Sequence, residues 1–251
     1  MIDPKLKTLT WKTSLLAIMD LVLPRVCVVC EHELLPEEKH ICFECLAGLP
    51  LTHFAKLSRN PMADAFNIKI ARDCYEPYAY AAALYFYSEE DNYSRIPWAL
   101  KYRGDFGVGR YFSNMLGEQM RQSDLFKDID LIVPVPLHWL RRHKRGYNQA
   151  EVIADSLGKV LDAPVITDLL VRTRRTHTQT RLGMEQKAMN VQGAFSIRRR
   201  RLKGLSATHI LLCDDVFTTG STLSQCYFAL REALGPDVRI SVATLGFVGK
   251  V

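Results

Sequence analysis

The chain has 251 residues, 48% of them hydrophobic and three of them Trp, which excludes a disordered chain and suits one medium domain with a small appendage. Its formal net charge of +6 and pI near 8.9 are modestly basic, compatible with a phosphate-rich substrate or a polyanionic partner without demanding either. Residues 1–23 form the first expected module. Trp11, Leu15, Leu16, Met19 and Val22 fall at helical spacing, which predicts an amphipathic helix that docks on the body of the protein or, alternatively, on a lipid surface. The apolar run 15–23 is broken by Asp20 and is too short to span a membrane. Lys5, Lys7 and Lys12 precede it as in a signal peptide, but Asp20 interrupts it and residues 23–27 lack a small-residue cleavage pattern, so the expected location is cytoplasmic with no membrane span.

Residues 24–50 form the second module. Cys27-x-x-Cys30, eleven residues, then Cys42-x-x-Cys45 is the spacing of two knuckles that place four thiolates in a tetrahedron, as structural zinc requires. The segment has too little apolar mass to fold alone, and metal binding would supply the missing stability. Disulfides are the alternative, disfavoured by a reducing cytoplasm. A redox C-x-x-C leaves the second knuckle unexplained. Cys74, Cys213 and Cys226 have the setting of buried apolar residues.

Residues 51–251 carry the main domain. The stretch around Asn60-Pro61-Met62 reads as loop, and residues 75–87, with six aromatics, as two adjacent strands whose rings pack across the pair or stack on nucleobases. Residues 96–102 predict a short helix and residues 107–121 a longer one. Residues 130–136 (D-L-I-V-P-V-P) predict a buried strand stopped by its prolines. A basic loop from Arg141 to Arg145 follows, then a helix over 150–161 with Ile153, Leu157, Val160 and Leu161 on one face. That loop, between strand and helix, either receives a pyrophosphate or is a solvated charge run. Residues 172–182 are cationic and poor in apolar groups, a candidate lid, and residues 190–195 should begin a strand. Arg198 to Arg201 form a cationic turn, and Val238, Ile240 and Val242 alternate as a closing strand.

The densest chemistry lies at residues 210–222, I-L-L-C-D-D-V-F-T-T-G-S-T. Four apolar residues predict a buried strand, with Asp214 and Asp215 at its carboxyl end, where open α/β sheets place ligands. A loop of small hydroxyl residues and Gly220 leads into a helix over 221–234, stopped by Gly235-Pro236. Such a loop offers amides and hydroxyls to a phosphate. Acids beside a phosphate cradle repel the ligand unless they bind sugar hydroxyls or a bridging cation, and a phosphorylated ribose with Mg²⁺ satisfies both halves.

This run resembles the 5-phosphoribosyl-1-pyrophosphate (PRPP) signature of type I phosphoribosyltransferases. The resemblance implies that Asp214 and Asp215 hold the ribose and that Thr218, Thr219, Gly220, Ser221 and Thr222 cradle the 5′-phosphate. Taken with the opening helix, the four cysteines, K-Y-R-G (101–104), V-P-V-P (133–136), R-G-Y-N-Q (145–149) and Gln179, Leu182, Asn190, Val191, Gly193, Ala194 and Phe195, the chain from about 15 to 245 resembles the ComF (ComFC/GntX-like) family. That implies a type I phosphoribosyltransferase fold, a parallel sheet flanked by helices, with an N-terminal four-cysteine zinc knuckle. It also implies a role linked to uptake of transforming DNA. Lys187 stands where the family commonly has Arg, which keeps the charge and loses a bidentate fork.

Departure of pyrophosphate from ribose builds positive charge on the sugar and negative charge on the leaving group, which preorganised cations and Mg²⁺ would stabilise. Val135, Pro136, Arg141 and Arg145 are the expected pyrophosphate side, and Arg174 or Lys187 could close over it. Three functions follow as expectations: Mg²⁺-dependent phosphoribosyl transfer, handling of imported single-stranded DNA together with uptake machinery, or PRPP sensing without turnover.

Overall fold

A computed structural model describes residues 24–71, 77–173 and 194–249. The expected opening helix, Cys74, Arg174, Lys187 and nearly all of the candidate lid lie outside these residues. The chain divides into two compact units, Met1–Gly48 and Leu49–Val251.

In the first unit the chain makes an antiparallel bridge between Val26 and Glu33 and ends in a one-turn helix, α1 (Phe43–Ala47), whose N-cap is Cys42. Buried Glu38 organises the turn between them: its carboxylate accepts the amides of Leu35 and Phe43 at 2.7 Å each, and its carbonyl accepts from the Arg25 guanidinium at 2.8 Å.

The second unit is built on a four-stranded parallel sheet. Its strands are β1 (Ala81–Tyr87), β2 (Leu131–Pro134), β5 (His209–Phe217) and β6 (Arg239–Val248), in the spatial order β1-β6-β5-β2. A separate antiparallel pair joins β3 (Leu170–Arg172) to β4 (Phe195–Ile197). Both faces of the parallel sheet are covered, so its strands read as near-continuous apolar runs. For that reason β6, the expected closing strand, extends to Val248, beyond the alternation at 238–242.

Side chains alternate across each strand. Ile210 and Leu212 of β5 join the core that holds α2 (Pro61–Ile70) and α7 (Ser221–Leu234). Cys213, on the other face, sits against α6 (Gln149–Leu161), its Sγ 3.7 Å from the Ala150 carbonyl. Here α6 packs on α4 (Phe106–Arg121), which is capped by the Asp105 carboxylate on the Val108 amide at 3.0 Å.

Three local expectations change. Asn60-Pro61-Met62 is the start of α2: the Asn60 side chain caps the Ala63 amide at 2.9 Å, and Pro61 occupies the first helical turn, where its missing N–H costs nothing. Within 75–87, the described residues form one strand rather than two, β1. The basic run after β2 is a short helix, α5 (Trp139–Arg145), capped by His138 Nδ1 on the Leu140 amide. The short helix expected at 96–102 is one α-helical turn, α3 (Arg95–Trp98), that widens into a π turn over Ala99–Arg103 and stops at Gly104, whose φ of +66° suits only glycine without strain.

Candidate active site

Asp214 and Asp215 fall inside β5, near its carboxyl end, rather than beyond it. As consecutive strand residues they leave the backbone on opposite faces, so each has its own surroundings. The Asp215 carboxylate is buried, 8% exposed, and its Oδ2 lies 2.9 Å from the Lys101 ammonium on the π turn. That oxygen makes no well-aligned hydrogen bond, so the ion pair is its close contact among the described residues. Burial pulls the Lys101 pKa down, but Asp215, with Asp214 behind it, more than reverses this and leaves it above the ordinary lysine value.

Asp214 accepts the amide of Asp215 at 2.9 Å. Burial, followed by the charge of Asp215, raises its pKa to about 7, against the weaker opposing pull of Lys101 and Arg172. Arg172, at the end of β3, is itself lowered by burial and then by the like charge of Arg141.

The turn after β5 has the form a phosphate cradle needs. Gly220 takes φ +70°, and a Cβ there would stand 2.6 Å from the Phe217 ring, so side chain and backbone both require glycine. It caps α7 with no side-chain hydrogen bond. The hydroxyls of Thr219 and Ser221 share a hydrogen bond of 2.9 Å, and the Ser221 amide points at Thr219 Oγ1 at 3.4 Å. The amides of Thr219, Gly220, Thr222 and Leu223 find no acceptor among the described residues. Thr218 is exposed, and Thr219, Ser221 and Thr222 are half-buried.

The loop after β2 begins beside the acids, because the Val135 amide donates to the Cys213 carbonyl at 2.9 Å. Asn148, the N-cap of α6, donates to the Val135 carbonyl at 3.0 Å and so fixes the Val135-Pro136 turn, which is buried. Of the expected cations, Arg141 lies exposed on α5, while Arg145 hydrogen-bonds Gln149 at 2.5 Å and sits over the Tyr102 ring at 5.5 Å. The Tyr147 hydroxyl donates to the Leu100 carbonyl. R-G-Y-N-Q and K-Y-R-G thus brace each other, and through Lys101 they reach Asp215. The cationic turn at 198–201 is not available for this chemistry: Arg198, Arg200 and Arg201 converge on Asp168 at 3.3, 3.6 and 2.7 Å, and Arg201 first among them holds that carboxyl below its usual range.

Sequence reasoning missed Lys101 and Arg172 as site residues. Each was visible within a basic motif, K-Y-R-G and the start of the cationic stretch, but nothing local says which basic residue turns inward.

In the first unit the sulfurs of Cys27, Cys30, Cys42 and Cys45 all lie within 4.8 Å of one another, and none is in a disulfide. Thiolates about 2.3 Å from a tetrahedral zinc stand about 3.8 Å apart, and Cys30 Sγ lies 3.7 Å from Cys42 Sγ. Amides of Val29 and Cys42 donate to Cys27 Sγ, and that of Cys45 to Cys42 Sγ, each at 3.4 Å. Burial raises the Cys27 thiol, but the amides of Cys30, Cys42 and Val29 outweigh it and bring the pKa to about 7. The donor set fits a structural metal ion. No helix among the described residues is long and apolar enough to cross a membrane.

No protein-family model matches the chain. It is 32% identical over 143 residues to Competence protein F of Haemophilus influenzae, an alignment covering 56% of this chain and 62% of that protein. It is 36% identical over 97 residues to DNA utilization protein YhgH of Escherichia coli, covering 38% of this chain and 40% of that one. The chain therefore matches less than two thirds of the length of these relatives. It is 25% identical to Competence protein ComFC of Bacillus subtilis over 95% of this chain and 89% of that one. Among solved structures it is similar to adenine phosphoribosyl transferase from Trypanosoma brucei, with 12% identity, TM-score 0.35, and coverage of 76% of this chain and 82% of that one. It is also similar to glutamine PRPP amidotransferase from B. subtilis, with 16% identity, TM-score 0.35, and coverage of 55% and 26%. Likenesses this loose transfer no chemistry.

Proposed function

The chain is a relative of Competence protein F and ComFC, and from that premise we propose that it is a phosphoribosyltransferase-type protein that binds PRPP with Mg²⁺ and serves in the uptake or use of DNA. One observation carries the PRPP half: an acidic pair, Asp215 buried and Asp214 half-buried, stands near the end of the strand that feeds a glycine turn in which the amides of Thr219, Gly220, Thr222 and Leu223 find no acceptor among the described residues. In this reading Asp214 and Asp215 accept the ribose hydroxyls, and Thr218, Thr219, Gly220, Ser221 and Thr222 enclose the 5′-phosphate at the start of α7. Val135, Pro136, Arg141 and Arg145 line the pyrophosphate side, joined by Arg172 and Lys101; Arg174 and Lys187 would complete it. Mg²⁺ arriving with the pyrophosphate supplies charge neutralisation at the leaving group. Lys101 plays a part of its own. It pairs with Asp215 before ligand arrives, and repartners toward the pyrophosphate once sugar hydroxyls take its place.

The four cysteines hold zinc in this reading, since four sulfur ligands close a tetrahedron and leave no open position for catalysis. A cytoplasmic setting keeps those thiols reduced. The DNA half rests on what the relatives are named for.

Titration calorimetry with PRPP and Mg²⁺ tests the site. Saturable binding that is clearly weakened in Asp215→Asn supports it, and absence of binding at millimolar PRPP rejects it. Turnover is tested separately, by pyrophosphate release with each nucleobase. Binding without release would leave a PRPP sensor.

A further inference from the structure

Beside the acidic pair, the second unit exposes two rings, Trp98 and Tyr102, that the PRPP reading does not use. Trp98 ends α3 and is 46% exposed; Tyr102, one turn later, is 67% exposed. Their ring centroids are 5.9 Å apart with planes inclined at 45°. The Arg103 guanidinium lies over the Trp98 ring at 4.9 Å, and Arg145 over Tyr102 at 5.5 Å. Along the surface the order is cation, ring, ring, cation. Leu100 of the same turn is buried and Lys101 turns to Asp215, so the π turn sends neighbouring residues to the core, to the acids and outward.

Rings of this size left in water forgo about 1.5–3 kcal/mol each of burial. Single exposed apolar residues are ordinary, but two neighbouring rings bracketed by guanidiniums are a patch. We propose that this ladder is a stacking platform for the unpaired bases of a single-stranded nucleic acid, whose phosphates run past Arg103, Arg145 and the basic helix α5. The charge is complementary: α5 contributes exposed Arg141, Arg142 and Lys144, with Arg142 partly neutralised by Glu151 at 2.6 Å. Every base has a π face, so such a platform tolerates any sequence. A free nucleotide gains little from rings so open, since small ligands bind where most of their surface is buried. A polymer sums one stack after another. A duplex keeps its bases stacked on each other and must unstack to reach the rings.

The proposal rests on the nucleic-acid half of the function above; its cations Arg141 and Arg145 are shared with the PRPP reading, and its rings are not. The test is fluorescence anisotropy of a labelled oligo(dT) against the purified full chain across a salt series. Stacking contributes about 1–3 kcal/mol per base, so Trp98→Ala with Tyr102→Ala should weaken oligo(dT) binding by roughly 10-fold or more while leaving the salt slope unchanged. The double variant Trp98→Phe with Tyr102→Phe, which keeps π faces at both positions, should restore most of the affinity. Arg103→Ala should instead flatten the salt slope. An abasic oligonucleotide of the same length should bind the chain and its double-alanine variant equally.

The proposal is overturned if oligo(dT) binds the double-alanine variant as tightly as the unaltered chain, if the abasic strand matches oligo(dT), if duplex competes as well as single strand, or if the unaltered chain binds no strand at low salt. Calorimetry with PRPP on the same preparations separates the two readings. Strand binding without PRPP binding removes the sugar-phosphate site and leaves the platform, and PRPP binding without strand binding does the reverse. Retained PRPP affinity or circular dichroism in the double-alanine variant excludes misfolding as the cause of its loss.

Discussion

Residues 27–45 gather four sulfurs within 4.8 Å using one short stretch of chain, whereas the carboxyl end of β5 gathers Lys101, Asp214, Asp215, Arg141 and Arg172 from across the second unit. The first arrangement is written in spacing, C-x-x-C twice, with amides already turned toward the sulfurs. The second is written in register: β5 lies between β2 and β6, and the alternation of its side chains decides which neighbour each acid meets. A local site depends on its ligand for stability. A register site is carried by the core and spends core stability on burying charge.

The sharpest break of that contrast is metal removal. Structural zinc in small modules is worth about 10–16 kcal/mol of apparent binding free energy. Chelation or Cys42→Ser should therefore unfold residues 24–48, read as loss of bound zinc by metal analysis and new tryptic cleavage at Arg25 and Lys39, while the sheet unit keeps its unfolding midpoint. If both units melt together, the contrast is wrong.

Next, Gly220→Ala forces a Cβ into the Phe217 ring at a positive φ. A cost of about 1–3 kcal/mol by urea denaturation is expected, with loss of PRPP binding by calorimetry. Asp215→Asn should lower PRPP affinity by roughly 10- to 100-fold, since a hydrogen bond to a charged group contributes about 1.5–3 kcal/mol.

Asp214 gives a pH signature. Its pKa in the folded chain is raised to about 7. The folded state therefore holds this proton more tightly than the unfolded chain, so its effect on stability is a loss as pH climbs from the ordinary carboxylate range to about 7, flat above. Ligand affinity should run the other way, rising with pH through about 7 as the acceptor ionises. Asp214→Asn should abolish that dependence and stabilise the free protein above neutral pH, both measurable by calorimetry and thermal melts. Lys101→Gln should move the midpoint upward, because Lys101 opposes the rise in Asp214. At the bottom of the scale, Arg142→Ala removes an exposed pair with Glu151 and should change stability by no more than about 0.5 kcal/mol.

The same contrast explains what could be read in advance. The helix over Ser221–Leu234 and its glycine stop were legible, because hydrophobic spacing and turn chemistry agree there. The cysteine cluster was legible because its geometry is local. Asn60-Pro61 reads as loop in sequence although it starts a helix, since Asn and Pro serve turns and N-termini equally. The basic run at 141–145 reads as loop because its charge masks a short capped helix. Lys101 could not be assigned at all, because which basic residue of K-Y-R-G turns inward is set by a π turn braced on Tyr147 from the other side of the site.

β1, the first strand of the sheet in chain order, has a single strand neighbour in it, β6, which is the last strand described. During synthesis, then, β1 can bridge early to residues 50–52, through Leu51 and Tyr85, but the edge that meets β6 must wait for residues 239–248 to leave the ribosome and needs shelter until then. This chain should gain its binding competence late and all at once, and nascent fragments halted before residue 239 should be clients of chaperones.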